Sequence, residues 1–204
     1  MLHNSDEINA DELYEFISSI SKYIEEEINM YALGGTALTI LKIKKSTLDI
    51  DINIQTSKEY KYICKIFEEL GFERNGIRWT TQEGLAFDMF HSSNIMGTEL
   101  LEDCKTKSKF IKEFGNIKLY TLPLEDIIIS KLARGDPRDF DDIKLLLNTQ
   151  KINLKDLTER YKETMEFSIV ANYKQKLLDL LEIKFKEWNL DIDNMLIGEI
   201  KKWD

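Results

Sequence analysis

Leu13, Phe16, Ile17, Ile20, Ile24 and Ile28 recur at three- and four-residue intervals, which predicts an amphipathic helix over residues 11–28. A short apolar run, Met30 to Leu33, reads as a strand and is broken by Gly34-Gly35. A brief helix through Ala37, Leu38 and Leu41 leads into Leu48–Ile54, where apolar and polar residues alternate. Residues 57–70 read as a helix stopped by Gly71 as a C-terminal cap. Phe72–Thr81 reads as a hairpin turning at Asn75-Gly76, and Gly84–Phe90 as a further strand. Lys107–Phe114 and Ile117–Leu122 form a second hairpin around Gly115-Asn116.

After Pro123 the pattern changes. Helical spacing covers 124–134, 137–149, 154–167, 172–189 and 192–203, with no strand signal between them. Tyr173, Leu177, Leu181, Phe185 and Trp188 line one face of the fourth, as core-packing residues do. The expected class is α+β: residues 1–122 form a mixed β-sheet flanked by helices, and residues 123–204 a helical region packing on it.

With 204 residues, the chain can bury one sizeable core. A hydrophobic fraction of 43% and a charged fraction of 32% fit an ordinary globular protein. No apolar run reaches the roughly 18–20 residues that span a bilayer. The segment MLHNSDEINADE lacks the basic-then-apolar order of a signal peptide, so a cytoplasmic location is expected. A formal net charge of −9 argues against a broad, non-specific grip on nucleic acid. It leaves room for a local basic patch, or for a ligand that brings its own metal ions. Cys64 shares a helical face with Tyr60, Ile63 and Phe67 and reads as core; neither it nor Cys104 has metal-ligand or disulfide spacing. His3 lies in the N-terminal segment and His91 at a strand end, which leaves little for histidine-based catalysis.

The chemistry concentrates in GGTALTILKIKKSTLDIDINI, Gly34 to Ile54. On a strand, Leu48, Ile50, Ile52 and Ile54 share one face, and Asp49, Asp51 and Asn53 the other. Two carboxylates on one strand face repel unless a cation joins them, and Asp is poor in strands. Mg²⁺ suits such a pair, because it takes one or two protein carboxylates and completes its octahedron with water and phosphate oxygens. The alternative is a solvated strand face.

The order Gly34-Gly35, short helix, Lys45-Ser46-Thr47, then Asp49-Ile50-Asp51 resembles the nucleotidyltransferase superfamily in its minimal prokaryotic form. The resemblance implies a nucleotidyltransferase-like fold whose glycine pair lies near a triphosphate. It implies that Asp49 and Asp51 bind divalent metal, Mg²⁺ or Mn²⁺, and that a third carboxylate arrives on a later strand. In GLAFDMF, Asp88 stands between Phe87 and Met89, where a carboxylate is costly unless paired or bound to metal. Glu83 and Glu99 are its rivals.

EDIIISKLARGDPRDFDDI, Glu125 to Ile143, resembles the nucleotidyltransferase-like toxins of the AbiEii and MenT type. Those proteins carry a lysine on a helix after the sheet and then an Arg-Asp…Asp segment, matched here by Lys131, Arg138, Asp139 and Asp142. The resemblance spans roughly residues 30–145 and makes a toxin–antitoxin component one expectation. A purely structural reading stands beside it. Asp136-Pro137 forms a helix N-cap and first position, Asp139 supports the cap, and Arg138 with Asp142 is an i,i+4 pair.

The implied activity moves a nucleoside monophosphate from an NTP to an acceptor hydroxyl and releases pyrophosphate. Asp49, Asp51 and Asp88 are the expected catalytic and metal-binding residues. Gly34, Gly35, Thr36, Lys131 and Arg134 are expected at the nucleotide. A tRNA 3′ end, a protein hydroxyl and a small molecule are the acceptors the resemblance suggests. A non-catalytic nucleotide- or partner-binding protein on the same fold is the alternative. If Lys105, Lys107 and Lys109 lie on an extended segment, they share a face as edge-strand protection or as a track for RNA backbone.

Overall fold

A computed structural model describes residues 7–203, so the reading of His3 lies outside the described residues. The described residues form two compact units, those up to 95 with 102–123 and those of 96–101 with 124 onward.

The first unit contains β1 (Ile8–Asn9), α1 (Ala10–Ser21), β2 (Ile28–Ala32), α2 (Gly34–Ile40), β3 (Ser46–Thr47) and β4 (Ile50–Ile54). It continues with α3 (Ser57–Glu69), β5 (Glu73–Asn75), β6 (Arg78–Thr80), β7 (Ala86–His91) and β8 (Asn94–Ile95). After residues that belong to the second unit, including β9 (Thr98–Glu99), come α4 (Cys104–Lys107), β10 (Lys109–Phe114) and β11 (Ile117–Thr121). A seven-stranded sheet runs β10-β11-β2-β4-β7-β6-β5. It is mixed: β11 with β2 and β4 with β7 are parallel, and the other neighbours are antiparallel.

One face of the sheet carries the core. Ile50, Ile52 and Ile54 are buried there, and Phe87 packs its ring 5.0 Å from Phe16 of α1 and 5.2 Å from Phe67 of α3. Trp79, wholly buried, stands 5.3 Å from Phe67.

The structure alters several expected boundaries. α1 ends at Ser21, not at residue 28. Ile24 and Ile28 continue the helical spacing, but Ile28 opens β2, where its N–H bonds Asn116 O at 2.9 Å and it pairs with Ile117. The Asn116 amide also donates to the carbonyls of Ile24 and Glu25, so the loop before β2 is fixed by the second hairpin. β4 begins at Ile50; Leu48 is 47% exposed instead of sharing the buried face. Asn53 is fully buried instead of solvated. Lys105 and Lys107 fall on α4, so the three lysines do not alternate on one extended segment. Only Lys109 enters β10, which is an edge strand.

The second unit is helical apart from β9: α5 (Leu124–Arg134), α6 (Pro137–Thr149), α7 (Leu154–Glu166), α8 (Tyr173–Asp179), a π-turn over Leu180–Lys184, α9 (Phe185–Glu187) and α10 (Asn194–Ile200). The helix expected over 172–189 is interrupted by that π-turn, although Leu177, Leu181 and Phe185 are buried as their spacing requires. Asp126 on α5 accepts two 2.7 Å bonds from Arg160 on α7, an ion pair shut away from water. Glu99 and Ile169 anchor residues 96–101 to this unit, through Glu99 N–H to Ser168 Oγ at 2.8 Å and Ile169 N–H to Gly97 O at 3.0 Å. Among the described residues, no helix is long and apolar enough to cross a membrane.

Candidate active site

The acids of the first unit are set by strand register. Asp51 on β4 and Asp88 on β7 are direct partners of a parallel pair, so both side chains leave the face opposite the core. Adjacent strands lie about 4.8 Å apart, which brings two carboxylates closer together than spacing along one strand does. Arg78 on β6 is the antiparallel partner of Asp88. Its Nε donates to Asp88 Oδ1 at 2.8 Å and its Nη2 to Asp88 Oδ2 at 3.2 Å. The same Nη2 reaches Asp49 Oδ1 at 3.2 Å. Hydrogen bonding to Asp88, then the charges of Asp88, Asp49 and Asp51, hold the guanidinium above its ordinary pKa.

Asp49 lies one residue before β4, with its side chain 53% exposed, against 14% for Asp88. Among the described residues, no group of three or more acids, histidines or cysteines is close enough together to hold a metal ion. Asp51 and Asp88 supply two hard oxygen donors from adjacent strands. That number and type fit what Mg²⁺ or Mn²⁺ takes from a protein.

The glycine pair fits closely beneath this strand. A Cβ on Gly34 (φ +46°) would lie 3.1 Å from Asp51 Oδ2, and one on Gly35 would lie 2.5 Å from Thr47 Oγ1. Glycine is required here for close approach as well as for backbone conformation. Thr36 is 1% exposed. Its Oγ1 donates to Asp49 O at 3.1 Å and accepts from Asp51 N–H at 2.8 Å. Leu33 N–H bonds Asp51 O at 3.0 Å. Thr47 Oγ1 donates to Asp49 O at 3.1 Å, and β3 is paired to β1. The segment from Leu33 to Thr36 therefore fixes the backbone on either side of Asp49 and Asp51.

Glu83 lies in an exposed turn and Glu99 in β9 of the second unit, so Asp88 is the acid in register with Asp51. His91 ends β7, with Nδ1 3.2 Å from Ile54 O and its ring stacked 4.6 Å from that of Tyr60. Cys64 and Cys104 are buried thiols, and Gln55 Nε2 donates to Cys104 Sγ at 3.3 Å.

Lys131, Arg134, Arg138, Asp139 and Asp142 belong to the second unit. Lys131 is 4% exposed; its Nζ donates to Asp142 Oδ2 at 2.7 Å and to Asp139 Oδ1 at 3.3 Å. Arg134 Nε adds a 2.7 Å bond to Asp139 Oδ2. Asp139 also accepts from Asp136 N–H at 3.2 Å, closing the cap of α6 behind Pro137. Burial alone would raise the Asp139 carboxyl, but the Arg134 hydrogen bond and the Lys131 charge hold it below its ordinary value. Arg138 is exposed.

Arg78 is the residue of the acid site that composition and motif pass over. The turn at Asn75-Gly76 and the buried Trp79 contain the signal. Alternation about an inward Trp79 sends Arg78 to the opposite face, the one that carries Asp88.

Over residues 11–193 the chain matches the family described as "Nucleotidyltransferase of unknown function (DUF6036)". The chain belongs to this nucleotidyltransferase family. No curated protein matches it. It is similar in structure to a protein of Thermotoga maritima assigned as a nucleotidyltransferase, at 17% identity and a TM-score of 0.44, over 72% of this chain and 100% of that one. It is also similar to an antigenic nucleotidyltransferase-like protein of Paracoccidioides brasiliensis, at 13% identity and a TM-score of 0.49, over 89% and 94% of the two chains.

Proposed function

We propose that the chain is a metal-dependent nucleotidyltransferase that moves a nucleoside monophosphate from an NTP to an acceptor hydroxyl. The observation that carries this reading is the register pairing of Asp51 with Asp88, under a glycine pair that leaves room for no Cβ. Asp51 and Asp88, with Asp49 beside them, hold Mg²⁺ or Mn²⁺. When bound, the ion neutralises triphosphate charge and polarises the α-phosphorus.

The chain's own residues do the rest. The Leu33–Thr36 segment keeps Asp51 fixed through Thr36 Oγ1 and Leu33 N–H. Asp88 accepts the proton of the acceptor hydroxyl as its oxygen bonds the α-phosphorus. The bond from that phosphorus to the bridging oxygen breaks, and pyrophosphate departs with the electron pair. The acceptor classes are an RNA 3′ end such as that of tRNA, a protein hydroxyl, including that of a partner protein in a toxin–antitoxin pair, and a small molecule.

The test is incubation with each NTP labelled at the α-phosphate, Mg²⁺ or Mn²⁺, and total RNA, cell extract protein or a small-molecule fraction. Label is expected to move to one acceptor class with the wild type and not with Asp51→Asn. One observation favours a second reading, a nucleotide binder without turnover: Arg78 already engages Asp49 and Asp88. Bound nucleotide with no labelled acceptor and no pyrophosphate under any condition supports that reading and overturns transfer.

A further inference from the structure

Arg78 makes contacts that strand pairing alone does not require. A cross-strand pair with Asp88 would be complete with the bonds from Nε and Nη2 to that carboxylate. The guanidinium instead reaches past its register partner to Asp49, which is on no strand. It thereby engages oxygens of two of the acids that the proposed site needs for a divalent ion. Its side chain is 46% exposed, and Asp49 is 53% exposed, so water is at hand to take over bonds that break. Ion pairs with this exposure contribute little to stability. As a brace for the sheet the contact is weak, whereas its charge sits directly on two carboxylates that a divalent ion would use.

We propose that Arg78 is a built-in competitor for the metal: its guanidinium holds Asp49 and Asp88 and is displaced when a divalent ion binds, which sets the affinity of the acid site. This inference rests on the metal-dependent reading above. Once displaced, the side chain stays tethered on β6 beside the ion, where its planar fork matches two oxygens of the ion's triphosphate. Arg78 is thus a positioning residue for metal and nucleotide together. The site binds a bare ion weakly and an ion carrying phosphate better, because only the latter gives the guanidinium a new anionic partner.

The experiment is Mn²⁺ titration of wild type, Arg78→Gln and Arg78→Lys, reading free Mn²⁺ by electron paramagnetic resonance, with melting in EDTA as the check on folding. Removing one positive charge at contact distance should tighten Mn²⁺ binding in Arg78→Gln by about tenfold. Arg78→Lys keeps the charge but not the fork and should tighten binding by less. A brace for the sheet predicts the opposite sign: losing it scatters the acids and weakens Mn²⁺ binding. Unchanged or weaker binding in Arg78→Gln, with wild-type binding measurable, overturns this inference and leaves the metal reading in place. Absence of Mn²⁺ binding in the wild type and both variants overturns the two together. Should Arg78→Gln fail to fold, affinity in Arg78→Lys equal to wild type overturns the inference.

Discussion

Lys131→Met tests whether the lysine of α5 serves the fold or a ligand. The ammonium is 4% exposed and lies 2.7 Å from Asp142 and 3.3 Å from Asp139. Met keeps the length and helix propensity of the side chain and removes the charge. Breaking a buried pair by deleting one partner costs about 3–5 kcal/mol, because a desolvated charge loses its counter-ion. Asp139 keeps Arg134, so the lower end, about 3 kcal/mol, applies. At about 2–4 °C per kcal/mol for a chain of this size, the melting temperature should fall by roughly 6–12 °C. Asp142→Asn in the Lys131→Met background should recover part of that loss, since it removes one of the two negative charges that faced the ammonium. Circular dichroism melts of the three proteins measure this, with calorimetric titration of an NTP alongside. A Lys131→Met protein that melts within about 1 °C of wild type but loses NTP affinity would refute the structural role and assign the charge to the ligand.

Two further outcomes are expected. Gly35→Ala puts a Cβ 2.5 Å from Thr47 Oγ1 and should cost about 1–3 kcal/mol in denaturant titration. Thr47→Ala in the same chain should restore most of that, and a Gly35→Ala protein as stable as wild type would show that the approach is not tight. Asp139 has its folded pKa below its ordinary value of 3.8, so its contribution is present above that value and is lost as pH falls through the lower folded one. Acid melts should therefore show wild-type stability falling below about pH 4, with a shallower fall for Asp139→Asn, whereas equal slopes would deny the depressed carboxyl.

The sequence by itself determined much of the local structure. Alternation in β4 and β7 put Asp51 and Asp88 on faces opposite their isoleucine and phenylalanine neighbours, because side-chain direction in a strand has period two. Asp136-Pro137 with Asp139 specified the start of α6, because capping is settled within four residues. The tertiary structure decided what depends on neighbours distant in sequence. Ile24 and Ile28 carry helical spacing, yet the pairing of Ile28 with Ile117 and the bonds from Asn116 end α1 at Ser21. Asn53 alternates as a solvent-facing residue but is buried. No spacing along the chain says that Asp51 faces Asp88 rather than Phe87 or Met89; that is the register of two parallel strands joined through α3 and a hairpin. Register also aligns Arg78 with Asp88, ten residues apart in sequence, and folding back of α6 on α5 places Asp139 and Asp142 against Lys131. Local periodicity fixes the face from which a charge leaves the backbone, but only packing between elements brings its partner to that face.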